Sequence, residues 1–376
     1  MSSKVLEYID TRRPATPCLV VDLDEVVENY RRIQDRLPLA HIYYAVKANP
    51  AAPILNRLVG LGSYFDAASV PEIDMCLAEN AKPASISFGN VVKKEADIAA
   101  AFGRGVRLFA FDSDGELDKL ARAAPGAKVY ARIAVSNGGA DWPLSRKFGC
   151  TPEMARDLLV RARELGLDAY GVSFHVGSQQ TDPGQWDAAI ARAAMVFTDL
   201  KASGIDLRMI NLGGGFPVPY HEDVPGFGTF ADAIMKAMTR EFGNNLPEIL
   251  IEPGRSICAT AGVLSTEVVL VARKSYEAPE RWVYLDIGKF GGLAETMDEA
   301  IRYSFRTPHD GGPDGPVAIA GPTCDGADIL YEKTPYRMPM ALTAGDKVRI
   351  VNAGAYTTTY ASVAFNGFAP LDEYYI

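Results

Sequence analysis

Lys47 stands at the end of an apolar stretch, where a charged side chain is costly. The residues before it, His41 to Val46, are β-branched and aromatic, which predicts a buried strand. Burial lowers the pKa of a lysine, and a neutral amine can form a Schiff base with an aldehyde. The ordinary alternative is a surface lysine just past a strand end, so the rest of the chain has to decide between the two.

Strand-like and helix-like segments alternate from about residue 22 to residue 260. Eight short strands separated by helices predict a parallel (β/α)₈ barrel of the TIM type, with a doubly wound open sheet as the alternative. The strand candidates are 41–47, 63–67, 85–89, 107–111, 128–134, 169–176, 208–212 and 247–251. Good helix starts are Asp22 with Glu25, Ser69 with Glu72, Thr151 with Pro152, and Asp182 with Pro183.

The pattern changes after Thr260, where segments rich in Val, Ile and Tyr follow one another with little helical period. These segments predict a second, all-β domain, similar to a β-sandwich or a small β-barrel. Residues 17–21 could supply another strand to it. We therefore expect a barrel over 22–260 and a second domain built from 1–21 plus 261–376. The strand candidates of the second domain are 262–273, 281–286, 316–320 and 346–352.

Polar residues follow the barrel strands at the points where the strands end. In (β/α)₈ barrels the reactive groups gather at the C-terminal ends of the strands. This set is what a phosphorylated aromatic aldehyde would need. In chain order the residues are Lys47 and Asn49, Asp66, Arg132, His175 with Ser178, Gly213-Gly214-Gly215, and Glu252 with Arg255.

Each of these residues also has a less specific interpretation. The triple glycine lets backbone N–H groups approach a phosphate, but it could be only a tight turn. Arg255 could bind the phosphate as a fixed cation, or form an ordinary ion pair. Glu252 ends an apolar strand and could pair with a pyridinium N–H. His175 could lie over the ring of that ligand, or be a core histidine with its hydrogen bonds satisfied.

Composition excludes several classes of protein. The net charge of −9 and the absence of a basic run argue against a nucleic-acid partner and suit a small cationic substrate. Five widely spaced cysteines without a CxxC pair predict neither a metal site nor a disulfide framework. The polar N-terminus has no targeting core, and no apolar run approaches the roughly 18 residues that span a bilayer. We therefore expect a cytoplasmic protein with no membrane partner.

Taken together, the motifs resemble those of the fold-III, pyridoxal-phosphate-dependent basic amino acid decarboxylases, the family of the ornithine and bacterial lysine/ornithine decarboxylases. They occur in order over residues 14 to 368, which makes the resemblance highly specific. The matching stretches are Tyr44-Ala45-Val46-Lys47-Ala48-Asn49, Phe65-Asp66-Ala67-Ala68-Ser69, Ser173-Phe174-His175-Val176-Gly177-Ser178, Gly213-Gly214-Gly215-Phe216-Pro217, Glu252-Pro253-Gly254-Arg255, Gly321-Pro322-Thr323-Cys324-Asp325-Gly326, Gly354-Ala355-Tyr356 and Phe365-Asn366-Gly367-Phe368.

The resemblance implies that the cofactor is pyridoxal 5′-phosphate (PLP) and that Lys47 carries it covalently. Glu252 would pair with the ring nitrogen, and His175 would stack on the ring. Asp66 and Arg132 would form the supporting polar shell. The residues implied for the phosphate are Ser178, Gly213, Gly214, Gly215, Arg255 and Tyr356.

The resemblance also implies a homodimer whose two active sites are shared between the subunits. Cys324 and Asp325 would come from the partner chain in the dimer. The thiol of Cys324 would protonate the carbon left by CO₂ loss, Asp325 would bind the distal ammonium of the substrate, and Phe365 would line the pocket. The less specific alternatives are a small buried hydrophobe for Cys324 and a turn former before Gly326 for Asp325.

In the ornithine enzymes a second acidic residue lies on a short helix before the Cys-Asp-Gly loop. The equivalent segment here runs from Leu293 to Glu299 and is shifted by about one residue. Asp298 is the first candidate for that acid and Glu295 the second. A solvated acidic face is the alternative for both.

The expected reaction is decarboxylation of L-ornithine to putrescine, and L-lysine, which gives cadaverine, is the second candidate substrate. The alternatives within the enzyme class are a lysine-preferring and a carboxynorspermidine decarboxylase. A homologue that binds the cofactor without catalysis is the alternative outside it. It would be expected to lack Lys47, Cys324 or a phosphate ligand, and the chain has all of them.

Overall fold

The computed structural model describes residues 2–136, 138–142 and 147–376. They form two units. The barrel unit contains Val27–Pro217 and Val224–Gly254, and the sheet unit contains the chain up to Val26, Val218–Asp223 and Arg255–Ile376. The expected division lay at residues 22 and 260. The sequence analysis did not predict that Val218–Asp223 belongs to the sheet unit.

Ten α-helices and eighteen β-strands occur in the described ranges. The helices are α1 Ser3–Arg12, α2 Leu23–Arg36, α3 Ala52–Gly60, α4 Val70–Ala78, α5 Glu95–Gly103, α6 Asp114–Ala123, α7 Pro152–Glu164, α8 Gly184–Ala202, α9 Phe227–Phe242 and α10 Arg255–Cys258. The strands are β1 Cys18–Val21, β2 Ala40–Ala45, β3 Tyr64–Ala67, β4 Ile86–Phe88, β5 Leu108–Phe111, β6 Lys128–Arg132, β7 Ala140–Trp142, β8 Asp168–Ser173, β9 Ser178–Gln180, β10 Met209–Asn211, β11 Glu248–Ile251, β12 Gly262–Ala272, β13 Arg281–Leu285, β14 Ser304–Arg306, β15 Asp314–Ala320, β16 Ile329–Pro339, β17 Lys347–Val351 and β18 Asp372–Tyr375. None of the helices found in the described residues is long and apolar enough to cross a bilayer.

The barrel unit closes on itself through eight parallel strands. Their order around the barrel is β2-β3-β4-β5-β6-β8-β10-β11, and β11 pairs with β2 to complete the ring. All eight expected strands are present, so the predicted (β/α)₈ barrel is confirmed. Closure matters for function because it brings eight strand ends to one rim.

Helix starts in the barrel unit follow the expected capping chemistry. The Ser69 hydroxyl accepts the Glu72 N–H at 3.4 Å, and the Glu72 carboxylate accepts the Ala68 N–H at 2.7 Å. Thr151 accepts the Met154 N–H at 3.2 Å. These bonds satisfy backbone donors that the first turn of a helix leaves unpaired.

The connections that follow β6 and β8 pair with each other. β7 and β9 form a two-stranded antiparallel ribbon, which the sequence analysis did not predict. Asn137 and residues 143–146 lie outside the described residues.

The sheet unit is a mixed sheet in the order β14-β17-β12-β13-β15-β16, and β1 pairs with both β12 and β18. The four expected strands are present, and residues 18–21 join them through antiparallel pairing with Gly262–Ser265. The sequence analysis missed β14, β16 and β18. Pro335 and Pro339 interrupt the pattern of β16, and proline is unusual inside a strand.

A buried ion pair links α6 of the barrel unit to the connection between β4 and α5. The Lys93 ammonium lies 2.9 Å from the Glu116 carboxylate and donates to the carbonyls of Asn90 and Ala110, both at 2.7 Å. Burial lowers the pKa of Lys93 to about 8, although Glu116 opposes that shift. Removing one partner of such a pair leaves an uncompensated charge in the interior.

We expect Glu116→Gln to lower the free energy of unfolding by about 3 kcal/mol, because Lys93 then stays buried without a counter-ion. Urea denaturation of the cofactor-free protein measures the change. Glu95→Gln is the matched control, since Glu95 forms an exposed pair with Arg122 and should leave the free energy of unfolding almost unchanged. Equal losses in the two variants would contradict the prediction.

Candidate active site

Lys47 and Asp66 lie side by side on neighbouring strands of the barrel unit. Parallel pairing places Ala45 opposite Asp66, and Lys47 follows two residues later in the 3₁₀ turn Val46–Ala48. The Lys47 ammonium is 3.7 Å from the Asp66 carboxylate. The expectation that Lys47 itself is buried was wrong, because its side chain is 45% exposed. The turn after β2 lifts it out of the strand, so the amine can be reached from solvent in the single chain.

Asp66, by contrast, is buried, and its Oδ1 has no hydrogen-bond partner among the residues that the structure describes. Gly89 makes room for it, because a Cβ at that position would lie 1.9 Å from Oδ1. Burial and the Glu252 carboxylate raise the pKa of Asp66 well above its usual range, while Lys47 and Arg132 act in the opposite direction. A buried oxygen without a partner indicates a place where a ligand donor would be favourable.

Glu252 and Arg132 stand at the ends of β11 and β6. The buried amide of Asn211, at the end of β10, donates to Glu252 Oε1 at 2.5 Å and accepts the Gly213 N–H at 2.9 Å. It therefore fixes the Glu252 carboxylate and the start of the glycine run together. The guanidinium of Arg132 lies over the Phe148 ring, 5.0 Å from its centre, and burial lowers the pKa of Arg132. Sequence reasoning missed Asn211, although a polar residue at the end of Met209-Ile210-Asn211 was a usable signal.

His175 follows β8 and is half-buried. Its Nδ1 accepts the Gly177 N–H at 3.0 Å, which assigns the proton of the neutral ring to Nε2. Burial lowers the pKa of His175 well below its usual value, and the cations Arg132 and Lys47 lower it further. The imidazole is therefore neutral at neutral pH and presents an uncharged aromatic face.

The run Gly213-Gly214-Gly215 passes so close to neighbouring backbone that no side chain fits. A Cβ would lie 2.4 Å from the Phe174 carbonyl oxygen at Gly213, 2.3 Å from that of Glu252 at Gly214 and 2.1 Å from that of Gly177 at Gly215. Gly213 and Gly215 also have positive φ angles of 66° and 96°. A side chain at any of the three positions would collide with these carbonyls, so the close-packed path of the run requires glycine, as in glycine-rich anion-binding loops.

Ser178 begins β9 beside this run. The connection is made by Gln180, which is fully buried. Its backbone N–H donates to the Gly215 carbonyl at 2.8 Å, and its side-chain amide donates to the carbonyls of Gly138 and Val176 at 3.1 and 2.9 Å. Ser178 and the glycine run are thereby kept together, as the sequence analysis expected of two phosphate ligands.

In the sheet unit, Arg255 is buried in a polar and aromatic cluster. Its guanidinium donates to both oxygens of Glu295, at 2.7 and 2.5 Å, and to the Tyr220 hydroxyl at 2.7 Å. The guanidinium carbon also lies 4.8 Å from the centre of the Tyr356 ring. Arg255 and Tyr356, the two residues of this unit implied for the phosphate, are therefore in contact.

Cys324 and Asp325 lie on an exposed turn between β15 and β16. The turn is held by Asp328, which is buried and was missed by sequence reasoning. One of its oxygens accepts the Lys289 N–H at 2.8 Å, and the other accepts the Thr323 hydroxyl at 2.7 Å. Gly288 and Gly321 leave the space that this carboxylate needs. Cys324 and Asp325 are thus exposed, whereas the carboxylate that holds their turn is buried.

The segment before that turn, Ala294–Glu299, has 3₁₀ turns separated by a kink at Met297 and Asp298, and its three acids differ sharply. Glu295 is buried against Arg255. Glu299 accepts backbone N–H groups of Glu332, Lys333 and Thr334 at 2.7, 2.6 and 2.9 Å. Asp298 has a positive φ of 52° and a side chain that is 90% exposed.

Phe365 packs against Phe290 with ring centres 4.9 Å apart. Both rings line a cavity of about 270 Å³ in the sheet unit, together with Pro322 and Thr323. The neighbouring Asn366 accepts the Cys324 N–H at 2.8 Å, so the Phe365 segment and the Cys324 turn are joined.

Comparison with known proteins accounts for this geometry. A family model described as pyridoxal-dependent decarboxylase, pyridoxal binding domain, matches residues 23–259. Lysine/ornithine decarboxylase of Selenomonas ruminantium is 38% identical over 98% of this chain and 91% of its own length. Ornithine decarboxylase of Rattus norvegicus is 34% identical over 95% of this chain and 80% of its own length. The chain belongs to the pyridoxal-dependent decarboxylases.

Solved structures agree with this assignment. Lysine/ornithine decarboxylase from Vibrio vulnificus, solved in complex with cadaverine, matches with a TM-score of 0.88 at 30% identity, covering 100% of this chain and 99% of that one. The same enzyme solved with putrescine gives a TM-score of 0.87 at 29% identity over the same shares. This decarboxylase therefore acts on a basic amino acid with PLP as its cofactor.

The barrel unit of the decarboxylase fits PLP at several points. The run Gly213–Gly215 carries no side chains that could keep a phosphate from its backbone, and the neutral ring of His175 suits stacking on an aromatic face. The half-buried Glu252, oriented by Asn211, suits a protonated ring nitrogen. The Lys47 amine is accessible and lies beside the buried Asp66 carboxylate.

We expect the imidazole of His175 to stay neutral at pH values where an ordinary histidine is half protonated. Burial disfavours the charged form, and Arg132 and Lys47 repel it, so the titration midpoint must fall below the usual value near 6.5. Histidine-selective ¹³C labelling and NMR of the cofactor-free decarboxylase measure the midpoint. The spectrum of His175→Gln assigns the signal among the four histidines. A midpoint at or above 6.5 would contradict the prediction.

Proposed function

We propose that the decarboxylase converts L-ornithine to putrescine and CO₂, with L-lysine, which gives cadaverine, as its second substrate. The observation that carries the proposal is the different use of the three acids in Ala294–Glu299. Glu295 and Glu299 have their oxygens engaged within the sheet unit, whereas Asp298 is displayed to solvent. Within the described part of the chain, the one ion pair of Asp298 is with the exposed Lys333, at 3.3 Å, and such a pair contributes little.

Asp298 and Asp325 are therefore the proposed ligands of the distal ammonium of the substrate. One carboxylate pairs naturally with one ammonium, whereas a guanidinium is recognised best by a two-pronged contact. Lysine is the second candidate because the Selenomonas ruminantium relative is named a lysine/ornithine decarboxylase. Ornithine and lysine differ by one methylene, and an exposed acid on a short 3₁₀ segment does not discriminate strongly against that length.

In the proposed mechanism Lys47 carries the cofactor covalently. The carboxyl group of Asp66 lies close to that amine, where it can accept or donate a hydrogen bond. Glu252 holds the ring nitrogen, while His175 keeps water from one face of the ring. Ser178, the backbone of Gly213–Gly215, Arg255 and Tyr356 are proposed to bind the phosphate. When bound, PLP supplies an electron-withdrawing ring that accepts the electron pair released as CO₂ leaves.

The proton that replaces CO₂ is proposed to come from Cys324. Its thiol is exposed in the single chain, and the turn that carries it is fixed by Asp328 and Asn366. A thiol can deliver a proton at neutral pH when it is held against the acceptor carbon. Phe365 is proposed to line the same pocket.

We propose that the acceptor carbon belongs to the partner of a homodimer. The segment 360–368 exposes three large apolar side chains, Tyr360, Val363 and Phe368. Such a patch favours burial against another protein surface, and we propose that this surface belongs to a second copy of the chain. Because Asn366 in this segment bonds to the Cys324 backbone, burial of the segment would carry the Cys324 turn into the interface.

The substrate assignment is tested with the purified decarboxylase by measuring CO₂ and diamine from ornithine and from lysine. We expect turnover of both, with a higher kcat/KM for ornithine. Asp298→Asn should raise KM for both substrates about tenfold or more, since a charge-assisted hydrogen bond is lost. Glu277→Gln, an exposed acid in the connection between β12 and β13, is the control and should leave KM unchanged. Absence of turnover with both amino acids would refute the proposed function.

The shared-site proposal is tested by mixing two inactive variants. Lys47→Ala and Cys324→Ala each remove one contributor, so neither homodimer should turn over. After mixing and exchange of subunits, half of the dimers are mixed, and each of these has one intact site. We therefore expect up to about a quarter of the original activity to return. Failure to recover activity, with subunit exchange verified by a tagged chain, would show that each site is built from one subunit.

A further inference from the structure

We infer that Glu295 is a positioning residue for the cofactor phosphate, acting through Arg255, rather than a ligand of the substrate. This inference rests on the proposed function, because it takes Arg255 to be a phosphate ligand. It also changes the expectation from sequence, in which Glu295 was the second candidate for the acid that binds the substrate ammonium.

The first argument is geometric. Nη1 and Nη2 of Arg255 each donate to a different oxygen of Glu295, so the carboxylate fixes the plane of the guanidinium as well as its place. The Tyr220 hydroxyl accepts a further hydrogen bond from Nη1. Glu295 and Tyr220 together use three of the five N–H donors of Arg255.

The second argument is burial. Glu295 and Arg255 are each only 4% exposed in the single chain. Burial by itself opposes the charge of Arg255, but Glu295 and Tyr220 outweigh it and keep the pKa of Arg255 well above its usual value. A carboxylate in this position has no face left for an ammonium from solvent, whereas the exposed Asp298 three residues later does.

The third argument is that Glu295 is itself held firmly. Its carbonyl accepts the Ile301 N–H at 3.0 Å, and the adjacent Thr296 donates its hydroxyl to the Leu293 carbonyl at 2.7 Å. Tyr356, the other residue of the sheet unit proposed for the phosphate, lies against the guanidinium that Glu295 orients. Loss of the Glu295 fork would therefore disturb both phosphate ligands of this unit.

The test is PLP binding to the cofactor-free protein, followed by absorbance, with kinetics at saturating PLP as the second readout. Glu295→Asp keeps the charge, but its shorter side chain cannot reach both nitrogens. We expect its PLP affinity to fall about tenfold or more, as for the loss of a charge-assisted hydrogen bond, with KM for ornithine unchanged within about twofold. If Glu295→Asp does not fold, Glu295→Gln, which keeps the length but has one acceptor oxygen, is judged by the same criteria.

Glu299→Asp is the matched control, since it shortens a nearby acid of the same segment whose oxygens accept backbone N–H groups of β16 rather than a guanidinium. Its PLP affinity should stay within about twofold of the parent. PLP affinity retained in Glu295→Asp, or a raised KM for ornithine at saturating PLP, would overturn the inference.

Arg255→Lys separates this inference from the proposed function beneath it. A lysine offers a point charge and cannot form the fork, so weaker PLP binding is expected if Arg255 contacts the phosphate. Unchanged PLP binding in Arg255→Lys would refute the phosphate assignment itself. Weak binding in Arg255→Lys together with normal binding in Glu295→Asp would refute only the role of Glu295.

Discussion

The contact between Lys47 and Asp66 is the interaction on which the rest of the barrel site depends. Parallel pairing of β2 with β3 places the two residues at neighbouring strand ends, and the 3₁₀ turn brings the amine to 3.7 Å from the carboxylate. Asp66 is buried and lies against Gly89, where any side chain would displace it. A reachable amine beside a fixed acid is what a covalently carried cofactor requires.

The same division between fixed support and accessible group recurs in the sheet unit. Buried carboxylates hold the backbone or another side chain, as Asp328 does for the Cys324 turn and Glu295 does for Arg255. The groups proposed to meet the substrate, such as Cys324 and Asp298, are exposed in the single chain. Because buried residues already hold these groups in place, little conformational entropy has to be lost when the substrate binds.

Sequence reasoning recovered what local patterns encode. The strand ends of the barrel and the glycine run follow from periodicity and residue type, whereas Cys324 and Asp325 were singled out by the family resemblance. The exposure of Lys47 was misjudged because the strand ends two residues earlier than its apolar run suggests. Asn211 had a local signal that was missed, namely a polar residue at a strand end. The contacts of Asp328 and Glu295 could not be read locally, because each acts on a partner that only the folded chain brings near. Strand β16 was missed because proline is disfavoured inside strands, yet this strand contains Pro335 and ends at Pro339.

The most direct test of the central claim is to reduce the PLP-loaded decarboxylase with borohydride and map the labelled peptide by mass spectrometry. The account predicts that the cofactor is fixed to Lys47, and that Lys47→Ala, loaded with PLP under the same conditions, carries no label on this peptide. A cofactor label on a different lysine of the native protein, or none at all with PLP in excess, would contradict it.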